Sequence, residues 1–396
     1  MINITDKAAC CGCTACANIC PKEAIEMVPD EEGFLYPSVD KNTCVECGLC
    51  DSVCPIKQKC ESKPKEVKSY VLRTKATDVL MNSTSGGFVT PLAEYVLEHN
   101  GMVCAAAYDK DFSVKHIILG SVEKEKLKSI RGSKYVQSDL NDCFKKIKNY
   151  LERGVSVCFI GTTCQVSGLK SFLHKDYEGL ITVDLVCHGV PSPKLWSKYI
   201  DYQKNKYCSE IREISFRNKT YGYHSGTMKI CFSNGKTYFG SARVDYMLKS
   251  FFKEIASRPS CYRCRFKTIN RCSDYTIYDC WHAAQLVENL HDDDNGYTNV
   301  IVQSEKGKRL LTQFQNQYEM YLADTEKAVE LDGIMVKKSA IPHPKRNDFY
   351  KEIDKKTLPE QICEFIPVSR KDYIIENSKA VIYKVGLYGM LKKLKK

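Results

Sequence analysis

Two cysteine runs with identical spacing constrain this chain more than any other feature. Cys10, Cys13, Cys16 and Cys20-Pro21 spell C-x2-C-x2-C-x3-C-P, and Cys44, Cys47, Cys50 and Cys54-Pro55 repeat the pattern 34 residues later. Three thiolates at i, i+3 and i+6 wrap one iron–sulfur cube, while the fourth cysteine lies too far round the chain and reaches the neighbouring cluster. Cys10, Cys13, Cys16 and Cys54 are therefore expected to hold one 4Fe-4S cluster, and Cys44, Cys47, Cys50 and Cys20 a second. A pair of zinc sites needs only C-x2-C pairs, so eight cysteines with two trailing Cys-Pro steps favour clusters. Gly12 and Gly48 are expected to keep side chains off the sulfides and leave backbone N–H groups to bond them. Glu31-Glu32-Gly33-Phe34 reads as the turn between two pseudo-symmetric halves, and Cys11, off the pattern, as a bystander. Such a module moves single electrons.

The chain has 396 residues and 22 cysteines. Disulfide frameworks serve chains too short for a core, which this one is not, so metal ligation is the better reading. The N-terminus shows no charged and apolar leader before Cys10, and no run approaches the length of a membrane span. A cytoplasmic, reducing location is expected. Net charge is +11 but uneven: residues 1–60 carry −4, whereas residues 379–396 carry +6 with no acid. The expected organisation is a ferredoxin-type module over 1–60, a charged linker over about 60–68, α/β domains over 69–190 and 191–330, and a C-terminal extension with a basic tail over 331–396.

Residues 69–190 alternate strand and helix signals: strands at 69–72, 102–108, 114–119, 155–160 and 181–186, and helices at 88–99, from Asp139 to Glu152, and at 165–173. Gly161-Thr162-Thr163-Cys164 reads as a loop after one strand and Cys187-His188-Gly189 as a loop after the next, where α/β sheets bind ligands. Ser83-Thr84-Ser85-Gly86-Gly87 opens a helix and suits a phosphate. Arg131-Gly132-Ser133-Lys134-Tyr135-Val136-Gln137-Ser138 adds two cations, hydroxyls and an aromatic face. Either loop alone is a plain cap or turn; together in a redox protein they favour an anionic ligand. Further on, strands are expected at 211–216, 228–232 and 236–239, the last two joined by Ser233-Asn234-Gly235, then a helix at 243–256 and a strand at 274–278. Cys261 and Cys264 form a lone C-x2-C, open to zinc, a dithiol or half a cluster site. Asp292-Asp293-Asp294-Asn295-Gly296 lacks the spacing of a calcium loop and reads as a solvated turn.

With these residues assembled, the chain resembles the coenzyme F-420 hydrogenase/dehydrogenase beta subunits, in the bacterial branch that carries an N-terminal ferredoxin module. The matching stretches are Ser85-Gly86-Gly87-Phe88, Arg131 to Ser138, Gly161 to Val166, Val183 to Pro193, Arg258-Pro259-Ser260-Cys261-Tyr262-Arg263-Cys264 and Arg271-Cys272-Ser273-Asp274. The resemblance implies an FAD-binding flavoprotein. It also implies that Cys164, Cys187, Cys261 and Cys264 hold a third 4Fe-4S cluster, and that Ser85, Gly86, Gly87, Arg131, Ser133, Lys134, Tyr135, Gln137, Ser138 and Thr162 line the flavin. The fold class it implies is α+β to α/β, a small ferredoxin-like two-cluster module followed by a mixed α/β flavin-binding body. Two departures stand out: Thr163 replaces a proline the family usually has before Cys164, and Tyr278 and His282 replace the glycines of a Gly-Asp-Phe-Trp-Gly run. The second narrows the pocket expected there and counts against the family's deazaflavin as substrate.

The expected function is an iron–sulfur flavin-dependent oxidoreductase. It would relay electrons between a one-electron donor such as ferredoxin and an FAD-linked two-electron reaction on an organic or deazaflavin-like acceptor. The alternative is a non-catalytic electron-transfer subunit docking a partner oxidoreductase, since an acidic module beside a basic body suits steered encounter. Bacterial proteins resembling this chain are associated with surface-polysaccharide synthesis, which makes a sugar-linked acceptor a third reading. No recognition motif supports nucleic-acid binding. The tail's alternation of Val381, Val385, Tyr388, Leu391 and Leu394 with lysines suits a membrane-surface helix or a solvated end. Cys104, Cys143, Cys158, Cys208, Cys231 and Cys363 sit singly and read as small buried hydrophobes, and His188 as a structural histidine.

Overall fold

A computed structural model of the chain describes residues 1–58 and 66–388. Most of the charged linker expected at 60–68, Cys60 included, and residues 389–396 of the basic tail lie outside the described residues. The N-terminal module is a hairpin of β1 (Ile25–Pro29) and β2 (Leu35–Val39) with two short helices, Ala15–Ile19 and Leu49–Ser52. The turn expected at 31–34 joins the two strands and anchors the module to the body. Glu32 pairs with the buried Arg346 at 2.6 Å, and Phe34 is fully buried in the body's core.

The body begins with β3 (Lys68–Thr74), β4 (Met102–Tyr108), β5 (Val114–Leu119), β6 (Val157–Thr162) and β7 (Leu180–Leu185). A separate antiparallel sheet follows, made of β8 (Ile211–Asn218), β9 (Thr227–Phe232) and β10 (Thr237–Ser241). The chain then returns to the first sheet with β11 (Tyr275–Cys280), β12 (Tyr297–Val302) and β13 (Tyr318–Ala323). The large sheet has the order β13-β3-β12-β11-β7-β6-β4-β5. Its centre, β4-β6-β7-β11, is parallel, and antiparallel strands flank it on both sides. The fold is mixed α/β, and its main sheet draws strands from both sides of residue 190.

β6 shows why the sheet has two covered faces. Val157 and Phe159 point into one core, with Phe144, Ile147, Leu169 and Phe172 from the helices Cys143–Glu152 and Thr163–Leu173. Cys158 and Ile160 point into the other, with Leu92, Val96 and Leu97 from the helix Val89–Glu98. A strand buried on both faces reads as a continuous apolar run, the pattern of a central parallel strand. A third core, around Trp196, Tyr199, Phe216 and Ile230, joins the small sheet to the helix Pro193–Tyr207.

β4 and β5 occupy the expected residues. The 161–164 loop does not form: Gly161 and Thr162 end β6, and Thr163 and Cys164 open the helix Thr163–Leu173. The reason is a cap, in which Gln165 Oε1 accepts the Thr162 N–H at 2.9 Å. Of the single cysteines, Cys104, Cys143 and Cys158 are buried, but Cys208 and Cys363 are exposed. Cys208 ends its helix in a left-handed conformation (φ 47°) that turns it to the surface. The Asp292–Gly296 turn is held by an ion pair of Asp293 with Arg73 at 2.6 Å and a hydrogen bond between Asp292 and His224 at 2.8 Å. Among the described residues no helix is long and apolar enough to cross a membrane.

Gly86 has a structural role in this sheet. Its N–H is donated to Thr298 Oγ1 at 2.8 Å, and its carbonyl accepts the Thr74 N–H at 2.8 Å. A Cβ here would strike the Leu72 carbonyl oxygen and come within 2.7 Å of the Thr298 nitrogen. Gly86→Ala is therefore expected to destabilise the fold by about 2–3 kcal/mol, read as a lowered urea midpoint with little loss at Gly179→Ala, where the backbone is not left-handed and a Cβ comes no nearer than 3.4 Å to any neighbour.

Candidate functional site

The two N-terminal cysteine runs gather around separate cavities. One is lined by Cys10, Cys13, Cys16 and Cys54, the other by Cys20, Cys44, Cys47 and Cys50. In each, three sulfurs come from one run and the fourth crosses from the other. Backbone N–H groups point at the sulfurs, from Ile2 to Cys50 Sγ at 3.2 Å and from Ala24 to Cys20 Sγ at 3.3 Å. The second set is nearer the surface: Cys47 is exposed, between the exposed apolar side chains of Val45 and Leu49. Gly48 is open to space, whereas Gly12 makes room for protein: a Cβ there would strike Gln137 and press on the Arg258 guanidinium.

A third set forms in the body. Cys164 follows β6, Cys187 follows the neighbouring parallel strand β7, and Cys261 and Cys264 belong to the turn Pro259–Arg263 and its end. All four line one cavity of about 300 Å³. The ends of adjacent parallel strands are where an α/β sheet leaves a crevice, so two cysteines from strand ends and two from a later turn converge without long reach. Cys11 lines both this cavity and that of Cys10, Cys13, Cys16 and Cys54. Its thiol interacts with those of Cys13 and Cys164, so it lies between the two sets. Spacing could not show this, since Cys11 meets Cys164 only through the fold. Gly168, on the helix that Cys164 opens, lets Cys13 pack against it: a Cβ would lie 2.8 Å from Cys13 Sγ. Cys272 instead contacts Ser167, and Cys280 is buried beside Asp332.

Burial raises several of these thiols. It pushes Cys16 up to about 12, helped by the Cys10 and Cys54 sulfurs, and Cys187 up to about 12. Cys261 is raised by burial too. A thiol that holds its proton must lose it to become a ligand, so cluster assembly releases protons. Among the described residues no three His, Cys, Asp or Glu side chains are grouped to hold a single metal ion; what each cysteine set shares is a cavity. Behind the third cavity the buried Arg271 donates to Asp184 Oδ2 at 3.2 Å and to Thr163 Oγ1 at 2.7 Å. His188, on its wall, pairs with the Glu254 carboxylate and lies 5.0 Å from the Phe251 ring.

Beyond His188, Tyr135 stacks on Phe251 at 4.6 Å, which leads to the two loops expected to bind an anion. They touch: the Ser133 N–H is donated to Thr84 Oγ1 at 2.8 Å. Ser85 Oγ meets Thr298 Oγ1 at 2.8 Å, so Ser85 and Gly86 are tied to β12. Gln137 and Ser138 are buried behind this junction, Ser138 on His116 at 3.0 Å and Gln137 against Leu35 of the module. Thr162 Oγ1 lies 3.1 Å from Cys164 Sγ, at the third cavity. Arg131 reaches Asp78 at 3.4 Å.

Sequence reading missed the buried basic groups at this junction, Arg217 and Lys219. Lys219 Nζ donates to the Ser85 and Leu80 carbonyls at 2.6 and 2.7 Å. Arg217 pairs with Asp279 at 3.1 Å, donates to Tyr135 Oη and lies over Trp281 at 4.6 Å, yet its buried Nη2 has no partner. Tyr223 stacks on Trp281, 4.5 Å away, and its ring also lies 5.8 Å from Arg217. Burial pushes the Lys219 and Lys134 ammonium groups down to about 7. Arg217 and Lys219 share the Asp279 carboxylate, with Asp293 and Asp294 also acting on Lys219, and the orphaned Arg217 Nη2 fits an anionic ligand. The cations carry that fit, since the Gly86 N–H is already used.

Family models match the chain over residues 69–145 (coenzyme F420 hydrogenase/dehydrogenase, beta subunit N-term) and 154–328 (the corresponding C terminus). The chain belongs to this family. A 4Fe-4S dicluster domain matches residues 9–57, the segment of the first two cysteine sets. Together these make the protein an iron–sulfur, oxidoreductase-type electron-transfer protein. Among solved structures, a chain of the F420-reducing [NiFe] hydrogenase complex from Methanosarcina barkeri, studied by xenon derivatization, is 18% identical with a TM-score of 0.44. The match covers 78% of this chain and 94% of that one. No curated protein matches.

Proposed function

We propose that the chain is a flavin-dependent iron–sulfur oxidoreductase that relays electrons between a one-electron donor, such as ferredoxin, and an FAD-linked two-electron reaction on an organic or deazaflavin-like acceptor. The observation that carries this reading is the meeting of Cys164, Cys187, Cys261 and Cys264 on one cavity, joined through Cys11 to the Cys10 set. The proposed order runs from Cys20, Cys44, Cys47 and Cys50 at the surface, through Cys10, Cys13, Cys16 and Cys54, to the third set. Bound 4Fe-4S clusters supply one-electron steps, and bound FAD supplies the hydride that clusters cannot deliver. The protein's part is positioning. Buried apolar walls keep water from the inner thiols, and Arg217, Lys219, Lys134 and the loops at Ser85–Gly87 and Arg131–Ser138 are assigned to the flavin's anionic part.

Anaerobic purification followed by iron, sulfide and flavin assay tests this. About twelve irons with one FAD per chain supports it, whereas about four irons without flavin overturns it. Lys134 and Lys219 give a second check. Near pH 8 both ammonium groups are largely deprotonated in the free protein, and a phosphate-bearing ligand raises their pKa values, so FAD binding is expected to take up protons. Calorimetry of FAD binding in buffers of different ionisation enthalpy measures that uptake, which disappears in the Lys134→Met/Lys219→Met variant.

A second reading, a non-catalytic subunit that docks an oxidoreductase, is supported by the acidic module on a basic body and by the exposed apolar Val45 and Leu49 beside Cys47. Activity that appears only with a co-purifying partner, with about eight irons and no flavin, favours it. Ile374, Val381 and Val385 are exposed along the helix Arg370–Lys384, so contact with an anionic membrane surface belongs to either reading. Equal sedimentation with anionic liposomes of the full chain and one ending at Ser378 discards it.

A further inference from the structure

Arg258 is a cation in want of an anion. It has no exposed surface. Each of the other three buried arginines has a carboxylate: Arg217 has Asp279, Arg271 has Asp184 and Arg346 has Glu32. Among the described residues Arg258 has none. Its Nε donates to the Cys10 carbonyl at 2.8 Å, and Nη1 reaches Gln137 Oε1 at 3.4 Å. The guanidinium lies over the Tyr36 ring at 3.9 Å, and Nη2 is buried without a partner. A buried charge is strongly disfavoured unless something opposes it, and arginine does not escape by losing its proton.

The guanidinium lies against the Cys10–Gly12 backbone of the first cysteine run, and its charge reaches the sulfurs of Cys10 and of Cys164 in the third set. The bare α-carbon of Gly12, held at φ 70°, makes the room, since a Cβ there would lie 3.1 Å from Arg258 Nη1. The backbone N–H of Arg258 is fixed by the Val190 carbonyl at 3.0 Å, and its own carbonyl accepts the Cys261 N–H at 2.9 Å. The cation is thus clamped from the body against the module. Among the described residues the surface set has no buried cation: Lys22, on its cavity wall, is exposed, and Lys57 and the Met1 ammonium are both partly exposed and already paired with Asp51.

We propose that Arg258 is the fixed counter-charge of the cluster held by Cys10, Cys13, Cys16 and Cys54 and raises that cluster's reduction potential. One-electron reduction adds one negative charge there, which the guanidinium stabilises with no proton moved. A higher potential at this inner set draws electrons inward from the surface set. The inference rests on the cysteine assignment above, and the test separates the two.

Potentiometric titration of the anaerobic full-length holoprotein, followed by EPR, gives a midpoint for each cluster. Cys16→Ser and Cys47→Ser identify the signals of the inner and surface sets; if neither abolishes one signal selectively, the cysteine assignment has failed and Arg258 is not what was wrong. In Arg258→Met the inner midpoint is expected to fall by about 60–120 mV, a ten- to hundred-fold change in the one-electron equilibrium, with the surface midpoint unchanged. Arg258→Lys, which keeps the charge, is expected to restore most of the shift. An unchanged inner midpoint, an equal shift of both clusters, or an equal fall in Arg258→Lys overturns the proposal. If Arg258→Met loses the inner iron, retention by Arg258→Lys supports the counter-charge and loss in both overturns it.

Discussion

Cys187→Ser is expected to lower the iron content from about twelve to about eight per chain and to leave the fold intact. Cys187 lies just past the end of β7, on the wall of the 300 Å³ cavity and outside both module sets. Serine is smaller and its hydroxyl ligates iron poorly, so one lost thiolate should cost the third cluster and spare the other two. Cys11→Ser is the telling comparison. Cys11 touches the same cavity but stands between two sets, and its replacement is expected to keep all the iron. Cys208→Ser, at an exposed helix end, is expected to change nothing. Iron and acid-labile sulfide measured on the three variants check the set: full iron in Cys187→Ser, or loss in Cys11→Ser, would require a different fourth ligand.

The contrast between these cysteines shows what a sequence makes legible. The two module sets rest on contacts a few residues apart, repeated after 34 residues, and local spacing carries such information directly. The third set joins residues 164, 187, 261 and 264 and became visible only through family resemblance, because no short spacing encodes a meeting of strand ends with a later turn. Arg217, Lys219 and Asp279 were missed for the same reason. Arg217 and Asp279 are 62 residues apart and meet across two sheets, and nothing in either neighbourhood marks the pair. β4 and β5 could be read because a turn and a period of two lie within one short stretch. β13 went unread because its partner β3 lies more than 200 residues earlier, and β12 because Tyr297–Val302 is buried at every position and so shows no period of two, although its other partner, β11, lies just before it. Gly86 was legible as a glycine a loop needs, but not for its reason: the close neighbour is the Leu72 carbonyl in β3 and not a phosphate.

Arg271→Met is expected to destabilise the protein by about 3–5 kcal/mol at pH 8, because it strands the Asp184 carboxylate in the sheet. Both side chains are essentially without exposed surface. Arg271 holds the strand end and the third-cavity helix together by donating to Asp184 and Thr163, while its Nε donates to the Thr268 carbonyl at 2.9 Å. Asp184 Oδ1 has no partner, so the guanidinium is its main compensation. Arg271→Met/Asp184→Asn, which removes the carboxylate as well, is expected to recover most of the loss. Urea midpoints of the three proteins at pH 8 check this: a deficit that the second substitution does not relieve would mean that Arg271 acts through packing and its carbonyl contacts and not through Asp184.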